Sequence, residues 1–485
     1  MRMASFCANV SIVLIILVVG MWLRNIFARS WDTLSWRNLF LLGMIQFYFL
    51  SAYFSASGEY TATLHHGSDE AFFLLALLMP VFVLLFVGAA HLGFRWTWAA
   101  RLIPKAQMAI TTPALLAVAG AMMSLALLFS VAPVPGFIGL LMGQIRSQLA
   151  CVAMGLATYY LISRRFNPLS WGVFLTTLAV ATIIGTVGLT GRRYMLGILL
   201  VIPWMWYFAV WRYRSGTANF IRFSSAAALG FLAIVIYSPL RAEGSGKMAS
   251  GATFERRAQQ LTELVTNPKI DTSVIKFIVY ADTAPNTLFI LDGYPSIFPH
   301  MPFHGLVWFV TNPIPRSVWA GKPEALGAIL RDQMGVAPNL GPGIIGHGWA
   351  EGGWLGVVGY ALVFGLIFGG VDRALSDRAR NPYFIAVMGS CLGNVIAVPR
   401  GDTPLFMLQI TGGIVISFAI VALLRATVGP IVSAFPSIEF DPDAARRARG
   451  QFVDADPEGE APDEPWSEYD AEPALVGAGE SGVRS

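Results

Sequence analysis

The chain has 485 residues, 55% of them hydrophobic and only 13% charged, with a mean hydropathy of +0.60. Soluble globular proteins carry about 25% charged residues, so this chain lacks the polar surface that water demands, and its composition also excludes collagen, coiled coil and wholesale disorder. The net charge of +4 is unevenly spread: residues 439–485 hold 13 acidic residues and four arginines, leaving −9 there and +13 on the body.

A membrane-crossing helix needs about 20 mostly apolar residues. In chain order, such runs predict spans over 5–23, 38–56, 71–93, 108–131, 138–162, 168–188, 195–211, 222–240, 352–371, 382–399 and 405–426. The expected fold is all-α, a polytopic integral membrane protein of about 11 transmembrane helices. No A-x-A-like cleavage site follows the first run, so it reads as a retained span. Links 24–37, 94–107, 163–167, 212–221 and 372–381 carry Lys or Arg, whereas 57–70 and 132–137 have none. The positive-inside bias puts the first group, with the C-terminus, in the cytoplasm and the second outside.

Four segments follow: an N-terminal transmembrane bundle (1–240), a large external loop (241–351), C-terminal spans (352–436) and an acidic tail (437–485). The tail cannot bury enough apolar surface to fold and is expected to be disordered. In the loop, Phe254, Ala258, Leu261 and Leu264 or Val265 recur at helical spacing among charged residues, predicting an amphipathic helix. Shorter helices are predicted over 272–281 and 324–334, joined by Pro- and Gly-rich connectors. There is no internal repeat of the kind common in secondary transporters.

Arg192 and Arg193 lie in a short link that alternation places outside, against the charge bias. Guanidinium groups match phosphate oxygens bidentately, so a phosphate-bearing ligand or lipid headgroups would compensate them. Arg241, Arg316, Lys322 and Arg400 gather on the same face, and Arg146 interrupts an apolar run, where it either serves function or snorkels outward. Three cysteines without paired spacing point to neither disulfides nor zinc. His300 and His304 are separated by Pro302, and no HExxH motif occurs, so no metal site and no cofactor are expected. Basic residues mark loops and form no stripe, which argues against nucleic acid.

The segment 312–354 is the most informative. It runs Asn312-Pro313-Ile314-Pro315-Arg316-Ser317-Val318-Trp319-Ala320-Gly321-Lys322-Pro323, then Gly341-Pro342-Gly343-Ile344-Ile345-Gly346-His347-Gly348-Trp349-Ala350-Glu351-Gly352-Gly353-Trp354. With its many spans, late external loop, Pro-Arg…Lys-Pro segment and Gly-rich approach to the next span, the chain resembles bacterial oligosaccharide repeat-unit polymerases of the O-antigen type. The Thr190-Gly191-Arg192-Arg193 link is similar to an Arg-bearing link in the related O-antigen ligases. The resemblance covers roughly 180–360.

It implies a C-type glycosyltransferase, working without a metal on polyprenyl-diphosphate-linked oligosaccharide at the periplasmic face of a bacterial inner membrane, to build a surface polysaccharide. Partners would be that lipid-linked substrate, membrane lipids, and a flippase and chain-length regulator of the same pathway. A ligase moving finished glycan to a lipid or protein acceptor, and a polysaccharide flippase, are the alternative readings. The arginines and Lys322 would hold the diphosphate. Trp319 and Trp349, with Tyr294, Trp308 and Trp354 nearby, would stack on sugars or anchor at the interface. The family often has an acidic residue where His347 stands, and Glu351 lies one helical turn later. Either could take the proton of the attacking hydroxyl. Asp292 and His304 are the reserves.

Overall fold

The computed structural model describes residues 2–28, 30–58, 66–104, 107–131, 136–186, 191–244, 259, 262, 266, 282–336 and 340–438. The chain divides into two units, Met1–Phe440 and Asp441–Ser485. The second lies outside the described residues, as do most of the amphipathic helix expected over 254–265 and all of that over 272–281. The expected tail over 437–485 loses its first residues to the body. Ile438 N donates to Ile110 O at 2.8 Å, and Thr111 and Ser437 form an antiparallel bridge.

The elements in chain order are α1 (Arg2–Ala28), α2 (Trp36–Met44), a π-helical turn (Ile45–Phe49), α3 (Leu50–Ser57), α4 (Asp69–Arg95), α5 (Thr97–Leu102), α6 (Thr112–Val131), α7 (Gly136–Ser163), α8 (Pro168–Thr186), α9 (Gly191–Ala209) and α10 (Gly216–Gly244). Then come α11 (Thr283–Gly293), α12 (His304–Thr311), α13 (Leu326–Met334), α14 (Gly343–Asp377), α15 (Pro382–Gly389), α16 (Leu392–Ala397), α17 (Thr403–Thr427) and α18 (Gly429–Val432). Among the described residues eight helical segments are long and apolar enough to cross a membrane, which makes this an all-α, multi-pass membrane protein. The sequence predicts about eleven spans. Its run over 195–211 falls in the shorter α9, and that over 222–240 falls in α10, whose side chains are described only to residue 232.

One expected span has a different form. Residues 382–399 make two short helices, α15 and α16, broken at Ser390–Cys391, and all of them are buried. Helices of eight and six residues extend about 12 and 9 Å, well short of a bilayer core. This run is apolar because protein surrounds it, a property that hydropathy alone cannot distinguish from facing lipid.

The second correction concerns α14. Gly352 (φ −168°, ψ 27°) and Gly353 (φ 58°, ψ −133°) leave helical geometry, the latter in a region open essentially to glycine. A straight helix would separate residues 347 and 360 by about 20 Å. Instead the His347 and Tyr360 rings lie 5.6 Å apart, and a Cβ at Gly356 would sit 1.9 Å from Gly348 O. The chain therefore doubles back at Gly352–Gly353. A short helix, 343–351, lies against the start of a long one, 354–377, which covers the expected span 352–371.

The long arm of α14 packs along α4. Cβ atoms at Gly365 and Gly369 would fall 2.5 Å from Phe86 O and 2.0 Å from Ala90 O, so these glycines permit backbone contact. In lipid, where burying apolar groups gains little, such close packing is a main source of helix association. Phe40, Phe82, Phe86 and Phe368 fill the adjoining core.

Hydrogen bonds join the links at one end of the bundle. Asp372 accepts from Trp31 Nε1, Trp36 N and Arg37 N; Arg212 forms a two-point pair with Asp32 at 2.8 and 3.2 Å and reaches Ser376 Oγ at 2.9 Å; Arg378 Nη1 donates to Ile103 O at 2.8 Å. Burial opposes the Arg212 charge, but Asp32 outweighs it and holds the guanidinium pKa above its ordinary value. Arg37, read from sequence as a loop charge, is buried with its guanidinium 3.9 Å over the Trp31 ring.

Candidate active site

At the opposite end of α14 the chain builds a cluster around one imidazole. His347 is 1% exposed and stands on the short 343–351 helix. Glu351, one turn on, lies on the same face as helical spacing requires, with Oε1 3.1 Å from His347 Nε2. On the other side of the ring, Asp402 Oδ1 is 3.9 Å from Nδ1. One imidazole thus stands between two carboxylates, one from its own helix and one from a distant part of the chain.

Each carboxylate is held by a glycine N–H from the segment between α10 and α14. Gly305 N, in the first turn of α12, donates to Glu351 Oε1 at 2.6 Å, and Tyr360 Oη donates to the same oxygen at 2.9 Å. Gly327 N, in the first turn of α13, donates to Asp402 Oδ2 at 3.1 Å. Both sites exclude a side chain. A Cβ at Gly305 would come within 2.6 Å of Glu351 Oε1 and 2.7 Å of Pro404 Cγ and Tyr360 Oη; one at Gly327 would lie 2.2 Å from Leu340 O.

Asp402 occupies the N-cap position of α17 but makes no capping hydrogen bond. In place of the cap residue's usual bond to the helix N–H groups, the carboxylate accepts from Gly327 N. Both His347 ring nitrogens and Asp402 Oδ1 are buried without an aligned hydrogen bond among the described residues. Buried polar atoms in that state are costly, and what faces them here are the two carboxylates, Glu351 at 3.1 Å from Nε2 and Asp402 at 3.9 Å from Nδ1.

The short helix is seated by Tyr48, from the π-helical turn. Its hydroxyl, fully buried, accepts from Ile345 N at 3.0 Å and Gly346 N at 3.2 Å and lies 3.1 Å from Thr287 Oγ1. Thr287 and Asn286 of α11 in turn donate to Pro342 O and Gly341 O. π-Turns are frequent at functional sites, and Tyr48 lies within this one.

The residues singled out from sequence are distributed unevenly. His347 and Glu351 meet. Arg193 places its guanidinium 4.4 Å from the Phe406 ring centre and donates to Gln409 Oε1 at 3.0 Å, one to two turns along α17 from Asp402. Arg400, two residues before Asp402, pairs with Asp282 at 3.2 Å. Lys322 is buried with Nζ on Asn312 O and Ile314 O, and burial together with Arg316 lowers its pKa. Arg316 is exposed and reaches Glu324 at 3.4 Å. The side chains of Arg192 and Arg241 lie outside the described residues. Trp349 is buried, with Nε1 donating to Tyr294 O at 3.0 Å, whereas Trp319 is 40% exposed. The reserves are engaged elsewhere: Asp292 accepts from Ser68 N and Oγ at the start of α4, and His304 Nε2 lies 2.7 Å from Glu324 O.

Sequence reading missed Asp402, Tyr360, Gly305, Gly327 and Tyr48. Asp402-Thr403-Pro404 reads as an ordinary helix start, which hides its carboxylate in a structural role. Among the described residues no group of three or more His, Cys, Asp or Glu side chains converges to hold a metal ion. What the arrangement can do is move a proton: an imidazole accepts one while the flanking carboxylates stabilise the imidazolium. No protein-family model matches the chain, and no curated protein or solved structure does.

Proposed function

We propose that this protein is a membrane glycosyltransferase of the C type. It polymerises polyprenyl-diphosphate-linked oligosaccharide repeat units at the periplasmic face of a bacterial inner membrane. The observation that carries the reading is His347 held between Glu351 and Asp402 where a membrane span begins. Bond formation needs a sugar hydroxyl to lose its proton as its oxygen attacks an anomeric carbon, while the bond to the diphosphate breaks. His347 takes that proton, and the two carboxylates hold the resulting imidazolium in place. Arg193 and Arg400, each close to the Asp402 end of α17, supply positive charge for the leaving diphosphate, with Arg192, Arg241, Arg316 and Lys322 assigned to the same substrate. Trp319 is an exposed aromatic available to a sugar face.

The test is purified protein in lipid nanodiscs with a lipid-linked oligosaccharide, products resolved by size. A ladder of longer lipid-linked chains that disappears in His347→Ala is expected. Transfer only onto an added acceptor would make the protein a ligase, and movement of intact donor without new glycosidic bonds would overturn the enzyme reading.

A further inference from the structure

Residues 241–351 read from sequence as an external loop, and one helix within it presents an apolar face outward. Helix α12 is eight residues long, too short to cross a bilayer. Gly305 and Trp308 are buried against the protein. Outward it presents Phe303 (71% exposed), Leu306 (60%), Val307 (41%) and Val310 (64%), and the chain beyond it continues the edge with Val318 (77%). Spacings of three and four residues put Leu306, Val307 and Val310 on one face of α12, with Phe303 at its N-cap.

The polar side chains of α12 are satisfied by carbonyls: His304 Nε2 lies 2.7 Å from Glu324 O, and Thr311 Oγ1 donates to Val307 O at 2.7 Å. Phe303 even adopts a left-handed backbone, φ 58°, disfavoured for a residue with a Cβ, while displaying its ring outward. The neighbouring α13 is the contrast. It buries Leu326 and Leu330 and turns the Arg331–Asp332 pair outward, the pattern of a helix bathed in water.

The occupant of the α12 face follows from what α12 leans on. Gly305 abuts Pro404 at the start of α17, a membrane-crossing helix, and bonds Glu351 where α14 turns into its own span. Both spans carry exposed apolar side chains, Trp354 and Leu355 at the start of the long arm of α14 and Val415 and Leu423 on α17, so the helices that α12 leans on are themselves faced by lipid. We infer that α12 is embedded in the bilayer interface, its Leu306–Val307–Val310 face among the acyl chains of the leaflet on the side of the His347 cluster. Through Gly305 the lipid surface then bears directly on the position of Glu351. The inference rests on the membrane assignment and not on the reaction proposed above.

The three native cysteines are all buried, so a nitroxide reagent will report on introduced cysteines, with the unsubstituted protein giving the background. Leu306→Cys, Val310→Cys and, as an aqueous control, Asp332→Cys are labelled in the full chain in phosphatidylethanolamine/phosphatidylglycerol nanodiscs. Collision rates with oxygen and with a water-soluble nickel chelate are compared. Labels at 306 and 310 should favour oxygen several-fold, and the label at 332 should favour nickel. Nickel preference at 306 and 310 would overturn the inference by placing the face in water. Shielding from both reagents would overturn it by showing that protein covers the face.

Discussion

The backbone N–H of Gly305 donates to Glu351 Oε1 at 2.6 Å, across 46 residues of sequence, and that contact leaves no room for a side chain at position 305. It couples a helix of the segment before the span to the carboxylate beside His347. Gly305→Ala should therefore displace Glu351 or Tyr360. Overpacking of this kind costs about 1–3 kcal/mol. The expected result is a lower thermal midpoint in detergent together with at least about tenfold slower glycan transfer. An unchanged midpoint and unchanged rate would show that the contact is dispensable.

His347→Ala should slow glycan transfer by about 100-fold or more while the protein still inserts and binds donor, the low end of a general-base contribution. Asp402→Asn keeps the shape but removes a negative charge from beside the imidazole, and its loss should be smaller. Groups acting as one unit give non-additive losses, so the double variant should be no slower than His347→Ala alone. Steady-state rates of the three variants decide this; fully additive losses would separate Asp402 from the proton transfer.

At the other end of the bundle, Asp32→Ala should leave the Arg212 charge buried and unmatched, at side-chain exposures of 12% and 8% for Arg212 and Asp32. Breaking a buried pair from one side costs about 3–5 kcal/mol. Tyr207→Phe removes the 2.9 Å hydrogen bond to the same carboxylate and the 3.0 Å bond that the hydroxyl accepts from Thr33 N, and should cost about 2 kcal/mol. Equilibrium denaturation in mixed micelles should rank the two in that order, with transfer chemistry in the surviving fraction unaltered.

The reversal in α14 gives a paired test. Gly353→Ala forces a Cβ onto a backbone at φ 58°, ψ −133°, which costs about 1–3 kcal/mol. Gly352 has an extended φ of −168°, and a methyl group there would meet nothing within 4 Å, so Gly352→Ala should be near neutral. Equal stability of the two variants would remove the turn at Gly353.

Truncation after Phe440 should leave polymer production close to normal, because the body's last contacts, from Ser437 and Ile438 to Ile110 and Thr111, are kept. Cutting after Ser437 instead removes the Ile438–Ile110 hydrogen bond and should lower stability by about 1 kcal/mol. Polymer length profiles from cells carrying either form check the first statement, and thermal midpoints of the two purified forms check the second.

The membrane class, most of the long helices and the His347–Glu351 pair are legible in the amino-acid order, since each depends on neighbours in the chain. Transfer into lipid is decided by some 20 consecutive residues, and residues four apart share a helix face whatever lies around them. Tertiary structure alone decided that Asp402 stands beside His347, that glycines 305 and 327 hold the Glu351 and Asp402 carboxylates, and that Tyr48 seats the short helix. It also decided that 382–399 is an interior broken helix and that Arg37 is buried. The physical reason is common to all of these. A hydrogen bond is specified by where two groups lie in space, and an apolar side chain meets lipid and protein with the same chemistry, so only the packed chain distinguishes a cap from a charge partner or a span from a core.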